Sequence, residues 1–303
     1  MKKTSIGGQA VIEGVMMRGP EDIAIAIRKP NGEIEVKKEK LKSGRKTIAK
    51  IPIVRGVFAF IDAMVMGVKA LTYSAEFLEE EEGKEAEKAK KPSKWEDFLE
   101  KNMIIIAVIF SILFSTGLFI LLPTLIVNFI GSSTKNPFFM NLIEGFIRVM
   151  IFLAYIMSIS WMKDIKRVFE YHGAEHKSIY CYESGDELTP ENAKKYKRLH
   201  PRCGTSFLFI VMIVSILLFS FFRWPNLLVR LVTRIILLPV VAGISYEIIK
   251  WAGRSDSKLV CMISAPGMWL QKITTKEPDD SQLEVAITAL KNVLVEDEEA
   301  DLW

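Results

Sequence analysis

All three histidines of this 303-residue chain, His172, His176 and His200, fall within one 29-residue window. Two of them stand four apart in His172-Gly173-Ala174-Glu175-His176. On a helix this spacing turns both rings to one side, and two imidazoles one turn apart form a clamp for a divalent metal such as zinc. Glu175 occupies the acidic position of the H-x-x-E-H order used by zinc-hydrolase helices. A carboxylate there can take a proton from water that the metal activates, which makes Glu175 the candidate catalytic base. Two histidines leave zinc short of a third protein ligand. The candidates, in order of expectation, are His200 and Cys203 in His200-Pro201-Arg202-Cys203-Gly204, then Glu247, which would complete a two-His-one-Glu set. The competing reading makes the histidines satisfied core residues on an apolar stripe. Gly173 weighs on that side, because glycine inside a helix costs about 1 kcal/mol relative to alanine.

The element that must carry the pair is a helix. Ile165, Phe169, Ile179 and Tyr180 recur at helical spacing and place His172 and His176 on their stripe, which runs on from the apolar stretch before it. Half of all residues are hydrophobic, and the charged quarter crowds into residues 20–101, 162–202 and 250–303. Apolar runs of roughly 17–25 residues fill the gaps at 103–129, 138–161, 206–222 and 226–251, matching a hydrocarbon core of about 30 Å. Pro123 should kink or end the first. The fold class expected is an α-helical integral membrane protein with four transmembrane helices and a small N-terminal β-containing cytosolic subdomain. It divides into 1–55 (β-rich), 56–101 (amphipathic helix and charged linker), 102–256 (membrane domain with central loop 162–204) and 257–303 (C-terminal helical segment).

Orientation follows from the basic residues. The loop 162–204 carries nine of them, against one each (Lys135, Arg223) in the two short connections. The positive-inside rule then places both termini and the histidine segment in the cytoplasm. A reducing compartment makes metal ligation or burial the expected fate of the cysteines, rather than disulfides. The partner expected is the lipid bilayer. A net charge of +4 spread along the chain forms no nucleic-acid-binding stripe. The start of the chain, basic but with no apolar run behind it, predicts no cleavable signal peptide.

At the N-terminus, residues 22–28 and 33–37 alternate around Pro30-Asn31-Gly32 and predict a β-hairpin. The glycine-punctuated stretch 7–19 reads either as a backbone cradle for an anion or as strands with a turn at Gly19-Pro20. Residues 54–78 predict an amphipathic helix at the membrane surface. After the last span, 258–272 reads as an interfacial segment broken at Pro266-Gly267. Ser281-Gln282-Leu283-Glu284 then opens a helix to about Leu294 as a capping box. Its stripe of Leu283, Ala286, Ile287 and Leu290 should pack on the β unit or on a partner protein.

Four charges lie inside spans: Glu144 and Arg148 in the second, Arg230 and Arg234 in the fourth, each pair one helical turn apart. Charges at that depth are costly unless paired, so they predict either an ion-pair network or a polar pathway. Three functions fit these features. One is a metal-dependent hydrolase at the cytosolic membrane face. The second is a scaffold with a structural metal or none. The third is a small transporter using the intramembrane charges.

Gly7 through Gly19, the His172–Lys177 and His200–Thr205 stretches, and Ala242-Gly243-Ile244-Ser245-Tyr246-Glu247 together resemble the bacterial YqhQ-like family, from about Gly7 to Leu290. The resemblance implies a polytopic protein of the bacterial inner membrane, of unknown function and sometimes labelled a predicted metal-dependent enzyme. It implies no substrate.

Overall fold

The computed structural model describes residues 3–41, 51–86, 94–130, 136–222, 226–254 and 257–295. Four short strands come first: β1 (Gly7–Val11), β2 (Gly14–Arg18), β3 (Asp22–Arg28) and β4 (Ile34–Lys40), an antiparallel meander in sequence order. The stretch 7–19 is therefore a strand pair, closed by a two-residue turn in which Glu13 takes a φ of 52°. The β3–β4 pairing ends at Arg28 opposite Ile34. The connection is thus a five-residue loop with Gly32 at φ 89°, not a two-residue Asn-Gly turn.

Side chains alternate across the sheet, as a period of two requires. Val15, Met17, Ala24 and Ala26 face α10 (Asp280–Lys291) and α5 (Lys163–Glu183) in one buried core. Val11, Met16, Ile25 and Ile27 face Ala70, Tyr73 and Phe77 of α1 (Val54–Ala86). The first core joins three distant stretches of chain: the N-terminal sheet, the central helix and the C-terminal helix, with Leu283, Ala286 and Leu290 fully buried. The capping box at its start forms between Asp279 and Gln282 rather than at Ser281.

The remaining elements are α2 (Lys94–Thr116), α3 (Leu122–Ile130), α4 (Pro137–Ile159), α6 (Pro190–Ala193), α7 (Gly204–Ser220), α8 (Leu227–Arg254) and α9 (Lys258–Thr274). Among the described residues, three stretches are long and apolar enough to cross a membrane: Ile105–Phe129, Phe138–Ile159 and Leu228–Arg254. The expected third span is the 17-residue α7, about 25 Å at 1.5 Å per residue and short of the usual core thickness. In the first span a π turn at Gly117–Leu121 precedes Pro123 and takes up the irregularity.

Two expectations are corrected. Helix α4 stops at Ile159 and α5 starts afresh after an extended Met162, so the histidine stripe is not a continuation of the span. Helix α9 runs unbroken through Pro266, and its next residue, Gly267, packs closely on Ser206 of α7. Of the expected linker and acidic tail, residues 87–93 and 296–303 lie outside the described residues.

Because the first core depends on the C-terminal helix, Leu290→Ala should cost about 2–5 kcal/mol. Thermal unfolding of the purified protein in detergent, followed by circular dichroism, should show a lowered midpoint. An unchanged midpoint would mean that α10 is dispensable to the core.

Candidate metal centre

Helix α5 is buried almost continuously from Tyr171 to Cys181, so the polar groups it carries must find partners within the protein. His172 and His176 lie one turn apart, with ring centroids 4.5 Å from each other. Cys203 approaches from the turn before α7, and the His172 Nε2 to Cys203 Sγ distance is 3.1 Å. One donor atom from each of His172, His176 and Cys203 lies within 4.8 Å of the others.

The other nitrogen of each ring is fixed by backbone. His172 Nδ1 donates to the Thr274 carbonyl at 2.8 Å, and His176 Nδ1 donates to the Arg198 carbonyl. A carbonyl oxygen only accepts, so each Nδ1 carries the proton and each neutral ring turns an Nε2 lone pair inward. The His176 Nε2 is buried and has no hydrogen-bond partner. A ligating histidine held through its far nitrogen by a carbonyl is the usual outer-shell arrangement of metal sites. Tetrahedral zinc ligands at about 2.0–2.3 Å lie roughly 3.3–3.8 Å apart, so the cluster needs to close by about an ångström at its widest. Two imidazoles and a thiolate are a donor set that zinc accepts.

Cys203 is the N-cap of α7. Burial pushes its thiol up, but the neighbouring His172 and His176 hold it well below the ordinary range. The helix N-terminus favours the thiolate further. Burial opposes a charge on His172, yet Cys203 and then Glu175 push it up to about 9.

Glu175 is 5% exposed and borders both histidines. Burial raises its pKa, while His176 and His172 pull the other way and the Gly8 backbone donates a hydrogen bond to it. A side chain on Gly8 would come within 2.9 Å of Glu175 Cγ, so β1 seals this flank.

The expected order of third ligands is corrected. Cys203, not His200, joins the pair. The His200 ring stands 5.5 Å from His176, and its Nε2 lies 3.2 Å from Arg202 Nη2 and 4.0 Å from Glu183 Oε2. Burial holds His200 down to about 4, so it is neutral. Glu183, despite burial, is held at about 2 by His200, Arg202 and the Thr4 backbone. Glu247 takes no part. It accepts from Arg55 and from the Ile53 backbone, because α1 packs on this end of α8 at Gly56 and Gly243.

Sequence reasoning missed Gln271 and Thr274. Gln271 is fully buried; its Oε1 accepts from His200 N at 2.7 Å, and its Nε2 donates to His200 O and Ser206 Oγ. A glutamine in an otherwise apolar stretch was the one available signal. Gly173 also finds its reason here. The Lys276 carbonyl lies 2.0 Å from where its Cβ would stand, so only glycine admits the 274–276 segment that brings Thr274 to His172.

The intramembrane charges form a separate cluster. Arg148 and Arg234 reach Glu144 Oε1 at 2.8 and 2.9 Å, and Arg230 pairs with Oε2. Arg148 also donates to Phe119 O in the π turn, at 2.8 Å.

Residues 51–296 match the family model described as protein of unknown function (DUF1385). The chain is 39% identical over 299 residues to the uncharacterized protein YqhQ of Bacillus subtilis (strain 168), covering 95% of this chain and 92% of that one. No solved structure matches it.

Gly173→Ala improves helix propensity by up to about 1 kcal/mol in isolation. Here it should lower the unfolding midpoint, since the new methyl overlaps Lys276 O. A midpoint unchanged or raised would refute this account of the close approach.

Proposed function

The chain belongs to the DUF1385 family of proteins of unknown function, and we propose that it is a membrane-embedded, metal-dependent hydrolase. The observation that carries the reading is the His176 Nε2 lone pair, buried and unpartnered beside His172 and Cys203. An orphaned acceptor at such a point costs about 1–3 kcal/mol unless something occupies it, and a cation fits all three donors. His172, His176 and Cys203 hold the metal. The carbonyls of Thr274 and Arg198 hold the two rings in the ligating tautomer. Bound zinc supplies Lewis-acid polarisation and a lowered pKa for water. Glu175 stands beside the histidines as the base, in surroundings whose burial raises its basicity.

One observation favours a second reading. The 3.1 Å contact between His172 Nε2 and Cys203 Sγ, at a helix N-terminus, is also the geometry of an activated thiol nucleophile. Metal analysis separates the two. Purified wild-type protein should hold about one metal per chain, and Cys203→Ser and the His172→Ala/His176→Ala pair should each lose it. Glu175→Gln should keep the metal and lose turnover. Metal-free wild type whose Cys203 reacts rapidly with iodoacetamide would replace the hydrolase by the thiol enzyme.

We further propose that the site faces the cytoplasm, from the basic loop 162–204. With the native cysteines replaced, an impermeant maleimide applied to intact cells should modify Asn136→Cys and spare Glu191→Cys. Modification of the second would invert the topology.

A further inference from the structure

A cavity of about 790 Å³ opens between β1, α1 and the ends of α7 and α8. We propose that it seats the phosphate-bearing headgroup of an anionic membrane lipid, next to the His172/His176/Cys203 cluster. The claim that this lipid is the substrate rests on the hydrolase reading above; the claim that it binds does not.

Charge is the first argument. Arg18, Arg202, Lys250 and Arg254 line the cavity, and no described lining residue is acidic. Four basic side chains against no described acidic one give the lining a positive sign. Lys250 and Arg254 sit in the last turns of α8, a helix of spanning length. Basic residues at that level attract anionic headgroups.

Shape is the second argument. The opposite wall is apolar, with Phe60 and Met64 of α1, Phe207 of α7 and Ile249 of α8. Met64 belongs to a face of α1 on which Phe58, Ile61, Val65 and Val68 are all 43% or more exposed. Such a face suits acyl chains, and the cavity volume is that of a small-molecule site rather than of one inorganic phosphate.

Position is the third argument. Gly8 and Gly204 are both part of the lining. Gly8 backs directly on Glu175, and Gly204 follows the ligand Cys203. A headgroup seated here lies against the backbone of Gly8, which packs on Glu175, and of Gly204, the neighbour of Cys203 in the chain. The cluster itself is closed, with His176 and Cys203 buried, so an approach from this cavity is the short route from the bilayer.

The test uses full-length protein in detergent and a fluorescent phosphatidylglycerol with short acyl chains. Binding to phosphatidylglycerol should be about tenfold or more tighter than to the matching phosphatidylcholine, and Lys250→Gln/Arg254→Gln should weaken it by about tenfold. Ala63→Trp, which fills the cavity without altering charge, should abolish binding; Cys203→Ser should retain it. Equal affinity for both lipids, or displacement by inorganic phosphate at the lipid's own concentration, would overturn the inference. Phosphatidylglycerol binding by a protein that holds no metal would leave the pocket standing and remove only the hydrolase reading. Metal-loaded protein that ignores lipid charge would do the reverse.

Discussion

The arrangement turns on one close approach, that of the 274–276 backbone onto α5 at Gly173. Lys276 N donates to Phe169 O there, and the Lys276 carbonyl occupies the space a side chain at 173 would need. This contact places the Thr274 carbonyl at His172 Nδ1. One turn earlier, Gln271 grips both backbone groups of His200. The 198–203 turn is thereby held, and it presents Arg198 O to His176 and Cys203 to the cluster. Each buried hydrogen bond contributes only about 0.5–1.5 kcal/mol net, but leaving its partner unsatisfied costs more. The cluster thus depends on the last turn of α9, which supplies none of its donors. The helix penalty at Gly173, about 1 kcal/mol, is offset by the bonds it permits.

The opposite end of the bundle follows different rules. Three guanidiniums share the single carboxylate of Glu144, and no other acidic residue occurs in 102–163 or 204–246. The group carries net positive charge where charge is expensive to hold. Part of that cost is offset by polar backbone exposed by the π turn, since Arg148 takes Phe119 O, and Thr124 adds a bond to Glu144. From Arg234 to the Glu247 level is 13 residues of one helix, about 20 Å. The two sites are therefore too far apart to share a ligand. A transport pathway needs a group free to change partners, and both Glu144 oxygens are already held by arginines. This arrangement favours a structural staple between α4 and α8.

The sequence exposed what periodicity and composition carry. The apolar runs located helices of the bundle, the i,i+4 spacing located the paired histidines, and the alternation at 22–28 and 33–37 located β3 and β4. It hid what depends on contacts between distant segments. Cys203 outranks His200 because the turn at 200–203 points the sulfur inward and engages His200 with Arg202 and Glu183, and no spacing rule encodes that choice. Glu247 is drawn away by Arg55, 192 residues distant in sequence. Gly173 read as a flaw in a helix because propensity is local, whereas its purpose lies a hundred residues downstream.

The same core that buries α5 constrains how the chain crosses the membrane. The N-terminal sheet, α5 and α10 share one set of buried side chains, so all three lie on one side of any bilayer. Between α5 and α10 the chain passes through α7, α8 and α9. Helix α8 has spanning length, and one crossing alone would leave α10 on the wrong side. A second crossing would be needed to return it. Helix α9 is poorly suited to it, because its last turn sits against His200 and Ser206, on the side where α8 ends beside α1. That leaves α7. Its shortness has a cause in the site: Cys203, whose sulfur must meet His172, caps its first turn and draws that end into the polar lobe. A bilayer that thins locally, or the flanking apolar Phe221 and Phe222, can make up the missing turn. The position of the Cys203 sulfur and the length of α7 are thus one constraint, since lengthening α7 at its start would move the sulfur out of reach of the histidines.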